Sequence, residues 1–174
     1  NLSEKCGAII YKDKPTIYLL GDSHAQQFNN SIKEFASKRH INVKTIWGNS
    51  CLFPSAIIRA KDKFCFDKQL QIENKLLDII KKEDIVIFAN ALYLRFNSEW
   101  DKTLNQYYLP SMEKININKA SQIYSQRIIE LSNQLVKKKA KIIIYLDGVQ
   151  FIDLEGPGNF CRQEWFRRSI EESC

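Results

Sequence analysis

Four short apolar runs of strand length, separated by stretches with helical spacing, constrain this chain most. The first, Thr16-Ile17-Tyr18-Leu19-Leu20, stops at Gly21 and reads as a buried strand. Residues 24–38 then place Phe28, Ile32 and Phe35 on one face of an expected helix. A second strand is expected over 41–47, with Val43 and Ile46 in the core. Residues 67–81 form the next expected helix, on Leu70, Ile72, Leu76, Leu77 and Ile80. Residues 84–89 carry the strongest signal of a strand covered on both faces. A long helix is expected to begin at 117 or 118 and run to 138, with Ile123, Ile128, Leu131 and Leu135 in its stripe. A fourth strand follows over 141–146, and segments 48–66 and 90–116 read as irregular.

Alternation of this kind predicts an α/β fold: a three-layer α/β/α sandwich around a mostly parallel sheet. No repeat, low-complexity stretch or linker divides the 174 residues, so one domain is expected. Ligands of such folds gather at the carboxyl ends of the strands. Here that edge comprises residues 21–24, 48–50, 90–93 and 147–150, where small and polar residues cluster.

With 44% hydrophobic and 26% charged residues, a core forms without a metal or cofactor, and none is expected. No apolar run is long enough to cross a bilayer. The chain starts at Asn1 without an initiator Met and stops at Cys174 in a charged, helix-like segment. It is therefore expected to be part of a longer product, with further material beyond Cys174. Of five cysteines, Cys51 and Cys65 bracket a loop containing Pro54, and Cys161 and Cys174 bracket residues 162–173. Two local disulfides, in an oxidising compartment, are the expectation; buried free thiols are the alternative. Cys6 is left over. Two histidines and these spacings match no zinc site. The formal charge of +6 is densest at Lys137-Lys138-Lys139 with Lys141, and again at Lys81-Lys82. Both runs fall where a helix is expected to end, where cations complement the dipole. No aromatic residues interleave with them, so a nucleic-acid partner is not expected.

Gly21-Asp22-Ser23-His24 carries the chemistry. A serine at a strand-to-helix junction projects its hydroxyl from the sheet edge, and its own N–H faces the same cleft. The helix N-terminus there favours negative charge. An oxyanion forming beside Ser23 gains from those donors. Gly21 permits a sharp turn, and Asp22 caps or orients it. The structural alternative is an ordinary capping sequence.

The strand ending in Gly21-Asp22-Ser23-His24-Ala25 resembles the first block of the SGNH, or GDSL-like, hydrolase superfamily. In particular it resembles the SGNH domains attached to membrane acyltransferases that O-acetylate bacterial surface polysaccharides. Ser50-Cys51 with Pro54, and Cys161 with Glu164-Trp165, extend the likeness. The resemblance implies a flavodoxin-like sandwich at a periplasmic or extracellular face. It also implies an acyl-donating membrane domain in the same polypeptide, a polysaccharide acceptor, and Ser23 as nucleophile. Carried over by position, the oxyanion donors are the Ser23 N–H, Gly48, with Ser50 a close competitor, and the Asn90 side chain. A plain loop-capping role is the alternative for Asn90.

The family's Asp-x-x-His block is missing from this sequence. His40 is expected at the surface on the far side. His24 is expected to support the loop rather than serve as base. The Asp-His block is expected beyond Cys174. Asp147 and Asp153 are candidates to contact substrate or to cap turns. Trp47, Tyr93, Trp100, Tyr107 and Tyr108 are candidates to line a carbohydrate cleft. The leading expectation is serine-dependent O-acetyl transfer to a polysaccharide. A carbohydrate O-acetyl esterase shares its intermediate, and a non-catalytic glycan-binding module is the alternative of another class. A nucleotide binder lacks the required phosphate loop.

Overall fold

The computed structural model describes residues 11–48, 51–92, 96 and 106–145. Four strands make one parallel sheet: β1 (Thr16–Gly21), β2 (Asn42–Trp47), β4 (Ile85–Ala89) and β7 (Lys141–Tyr145), in the order β2-β1-β4-β7. Three short strands, β3 (Ile58–Arg59), β5 (Tyr107–Tyr108) and β6 (Lys114–Ile115), form a second, antiparallel sheet. The helices are α1 (Ser23–Arg39), α2 (Lys63–Ile79) and α3 (Ile117–Lys137).

Period-two alternation sorts the strands' side chains between two cores. Tyr18, Leu20, Val86 and Phe88 join Ile72 and Leu76 of α2 and Leu131 and Leu135 of α3. Ile17, Leu19, Val43 and Ala89 face the other way, onto Ala25 and Ala36 of α1. Helices therefore cover both faces, as the near-continuous apolar strands require. The chain leaves β1 through α1 to reach β2 on one side, then returns over the opposite face to β4 on the other. The carboxyl end of β1 is thus a point where successive connections diverge, the place where such sheets open a crevice.

Three expectations change. Phe35 does not join the α1 core stripe; it is 42% exposed, with the Arg39 guanidinium stacked 4.1 Å from its ring. Helix α2 begins at Lys63 rather than 67. Asp62 caps it by accepting from Cys65 N–H at 3.0 Å, and a disulfide joins Cys65 in its first turn to Cys51. Segment 90–116 is not wholly irregular, because β5 and β6 form a hairpin across a 109–112 turn.

Candidate active site

The sheet's parallel register brings the ends of β1, β2 and β4 side by side, pairing Gly21 with both Trp47 and Ala89. At Gly21 the backbone turns with φ +156°, and a Cβ placed there would lie 1.8 Å from the Ala89 carbonyl oxygen. Only glycine fits. Asp22 follows as the N-cap of α1, fully buried, and Ser23 is the first helical residue. Half-buried Ser23 thus stands at the positive end of a 17-residue helix with no acidic residue in its first turn, a setting that favours a forming negative charge.

Asp22 organises the turn. One carboxylate oxygen accepts from His24 N–H at 2.9 Å and lies 3.5 Å from His24 Nδ1; the other accepts from Ala91 N–H at 3.1 Å. His24 thus lies against Asp22 at the start of α1. His40 caps the other end of α1 with φ 52°, at the opposite edge of the sheet.

The next residue back along the chain from Ala91 is Asn90, 2% exposed, and it reaches the loop that follows β2. Its Oδ1 accepts from Phe53 N–H at 3.1 Å, while Nδ2 donates to Phe53 O at 2.7 Å and to Tyr124 Oη at 3.1 Å. Tyr124 in turn donates to Phe53 O at 2.7 Å. The same loop is held further along. Glu73 accepts from Ser55 N–H at 3.2 Å and pairs with Arg127, one turn of α3 beyond Tyr124. The Cys51–Cys65 disulfide, with a Cα separation of 5.5 Å, secures its start. The dipeptide Asn90-Ala91 thus ties the Ser23 turn to the β2–α2 loop.

These contacts occupy hydrogen-bonding groups of two candidate donors, Asn90 and Gly48. Both amide hydrogens of Asn90 already have acceptors within the protein. The Gly48 N–H donates to Gly21 O at 3.2 Å, extending the β1–β2 ladder. Neither group presents a hydrogen to a ligand in this arrangement. The sequence signal that would have revealed the clamp is weak: Tyr124 and Arg127 share a helix face three residues apart, but nothing marks Phe53 as their target.

The expected aromatic cleft is also redistributed. Tyr107 and Tyr108 are 1% and 6% exposed and belong to β5; Tyr107 is part of a small core with Leu52, Ile57 and Tyr124. Trp47 packs against the Leu19 and Ala25 core. A cavity of about 170 Å³ beside the disulfide is walled by Leu52, Ile57, Arg59, Asp62, Cys65 and Phe66, none of them from that aromatic set. Ser50, Tyr93, Trp100, Asp147, Asp153, the Cys161–Cys174 pair, Glu164, Trp165 and Cys6 lie outside the described residues.

The clamp makes a graded prediction for stability. Asn90→Ala leaves the buried Phe53 N–H without its partner and is expected to cost about 3 kcal/mol, whereas Tyr124→Phe keeps one donor on Phe53 O but strands one Asn90 amide hydrogen, for a smaller cost of about 2 kcal/mol. Denaturant midpoints measure both. Equal losses, or a larger one for Tyr124→Phe, would contradict the network.

Comparison with known proteins agrees with the geometry. The family model described as "SGNH domain (fused to AT3 domains)" matches residues 3–172. No curated protein and no solved structure matches the chain. Among the described residues no helix is long and apolar enough to cross a membrane, and no cluster of potential metal ligands is present.

Proposed function

Because the chain belongs to the family of SGNH domains fused to AT3 (acyltransferase-3) membrane domains, whose activity is of the hydrolase or acyltransferase type, we propose that Ser23 carries an acetyl group between a donor and a cell-surface polysaccharide. The observation that supports this most is the position of Ser23. It is the first residue of α1, at the divergence point of the sheet, beside a turn fixed by Asp22.

The chemistry proceeds in two displacements. Ser23 Oγ attacks the acyl carbonyl, its proton leaves, and the bond to the donor breaks, giving an acyl-serine and the protonated donor group. A sugar hydroxyl then attacks the acyl-serine, forming the new ester and returning the proton to Ser23. Water in place of the sugar gives esterase activity through the same intermediate. The Ser23 N–H is the proposed first oxyanion donor. Gly48 and Asn90 are proposed to act by holding the walls of the cleft rather than by donating to substrate. Ser50 remains the proposed second donor from the β2 loop. The base that takes the serine proton is expected beyond Cys174, so the test uses the polypeptide as its gene encodes it. The site is proposed to face the periplasm or the extracellular space, tethered through the membrane domain.

An aryl phosphonate is expected to label that polypeptide stoichiometrically, with the adduct at Ser23 by peptide mass analysis. Absence of any adduct would favour a non-catalytic glycan-binding module instead.

A further inference from the structure

Because β1, β2, β4 and β7 are parallel, the segments that enter them all reach one edge of the sheet, opposite Ser23. Lys12 and Lys14 precede β1, and Lys38 and Arg39 precede β2. Lys81 and Lys82 precede β4; Lys137, Lys138 and Lys139 precede β7, and Lys141 opens it. Every one of these residues is exposed. Within segments 11–15, 37–41, 80–84 and 136–141 the carboxylates are Asp13, Glu83 and Asp84. Ten cations against three carboxylates leave +7 on this edge, when the whole chain carries +6. Lys141 lies 2.9 Å from Glu83 and holds its carboxyl below the usual range, so that acid stays ionised and is already counted. One turn before Lys38, Glu34 pairs with it at 2.6 Å.

The array is rigid. Buried Asp84 accepts from Thr16 N–H and Lys81 N–H, both at 2.8 Å, and its own carbonyl accepts from Lys141 N–H. Lys139 O accepts from Glu83 N–H, and Asn42 Nδ2 donates to Tyr11 O and Lys14 O. All four entry segments are thus stitched to one another. Helix dipoles account for only part of the charge. Lys38, Arg39 and Lys137 lie in last turns, but α2 has no basic residue in its own last turn. Lys81 and Lys139 come directly after the caps Ile80 and Lys138, while Lys12, Lys14 and Lys82 lie farther from any helix end. Packing like charges together works against the fold.

We propose that this edge docks on the anionic phospholipid headgroups of the membrane that holds the fused acyltransferase domain. Each lysine brought to an anionic bilayer raises partitioning about fivefold. The aromatic rings within the four segments, Tyr11 and His40, are engaged with each other in a T-shaped contact rather than arranged as a stacking platform for bases or sugar rings. Docking in this way points the opposite edge away from lipid, toward a polysaccharide; that orientation matters only if Ser23 is the nucleophile, whereas the docking itself does not depend on it.

Sedimentation of the chain with phospholipid vesicles tests the proposal. Binding is expected to vesicles containing about 30% phosphatidylglycerol but not to pure phosphatidylcholine, and to weaken as salt rises. Replacing Lys81, Lys82, Lys138 and Lys139 together by Gln is expected to lower the partition coefficient by about 10²- to 10³-fold. The double variant Lys81→Gln, Lys82→Gln, confined to one turn, should lose about 30-fold. Replacing Lys63, Lys68, Lys75 and Lys119 by Gln removes the same charge from elsewhere and should cost less than about tenfold. Equal losses from both quadruple variants would overturn the proposal, as would binding to heparin without binding to anionic vesicles. Phosphonate labelling of Ser23, measured with the same lysine substitutions in the polypeptide as encoded, should be unchanged, so the docking and the acyl-serine reading fail separately.

Discussion

Ser23→Ala, made in the polypeptide as encoded, is expected to lower both ester hydrolysis and acetyl transfer by about 10⁴-fold or more while the unfolding free energy changes by less than about 0.5 kcal/mol. The two halves of this expectation have different origins. Turnover collapses because the hydroxyl is the atom that holds the acyl group, and neither Asp22 nor His24 offers a replacement at the same point. Stability is retained because the Ser23 hydroxyl takes no part in the hydrogen bonds that fix the turn. Those run from the Asp22 carboxylate to His24 N–H and Ala91 N–H, and alanine at the first helical position leaves them all in place. Aryl acetate hydrolysis and acetyl transfer to a glycan, each beside a melting curve, give the answer. A variant retaining more than a tenth of the activity would remove Ser23 from the mechanism. A variant that unfolds would mean the hydroxyl is structural.

The centre of the main sheet could be read from residue pattern because β1 and β4 are nearly pure apolar runs, ending at Gly21 and Ala89, with helices over both faces. The edge strands carry a weaker signal: β2 includes Asn42, Lys44 and Thr45, and β7 leaves Ile143 and Ile144 exposed. The small sheet could not be read in the same way. Ile58-Arg59, Tyr107-Tyr108 and Lys114-Ile115 are two residues each, too short for any period to appear, and they exist through contacts distant in sequence. Start of α2 was hidden for a related reason: Asp62 caps it and Cys65 anchors it to Cys51, while the apolar stripe begins only later. At the site, Ser23 and its turn follow from the position of one glycine after one strand. The partners of Asn90 do not follow, because an amide that clamps a peptide and one that faces a ligand have the same sequence signature.

Gly21→Ala should be the most damaging single substitution in the described sheet. Gly21 closes two ladders at once, opposite Trp47 in β2 and Ala89 in β4, and its carbonyl accepts from Gly48 N–H. A methyl group there meets the Ala89 carbonyl oxygen at 1.8 Å and its carbon at 2.7 Å. These are backbone atoms of a central strand, with no rotamer to change. Relief requires β1 and β4 to separate at their carboxyl ends, and φ +156° adds a conformational penalty for any residue with a side chain. The expected loss is about 4 kcal/mol or more, which for a domain of this size lowers Tm by about 10 °C or more. Gly48→Ala is the informative control. Its new methyl meets Cys51 Sγ at 3.1 Å and Cys51 Cβ at 3.2 Å, a fit that a few tenths of an ångström of movement relieves, for a cost of about 1 kcal/mol. Separation of the strand ends would also carry Asp22 away from Ala91, so any folded Gly21→Ala protein should label slowly at Ser23. Melting temperatures for the two alanine variants that fall within about 3 °C of each other would show that β1 and β4 do not meet as closely as this geometry requires.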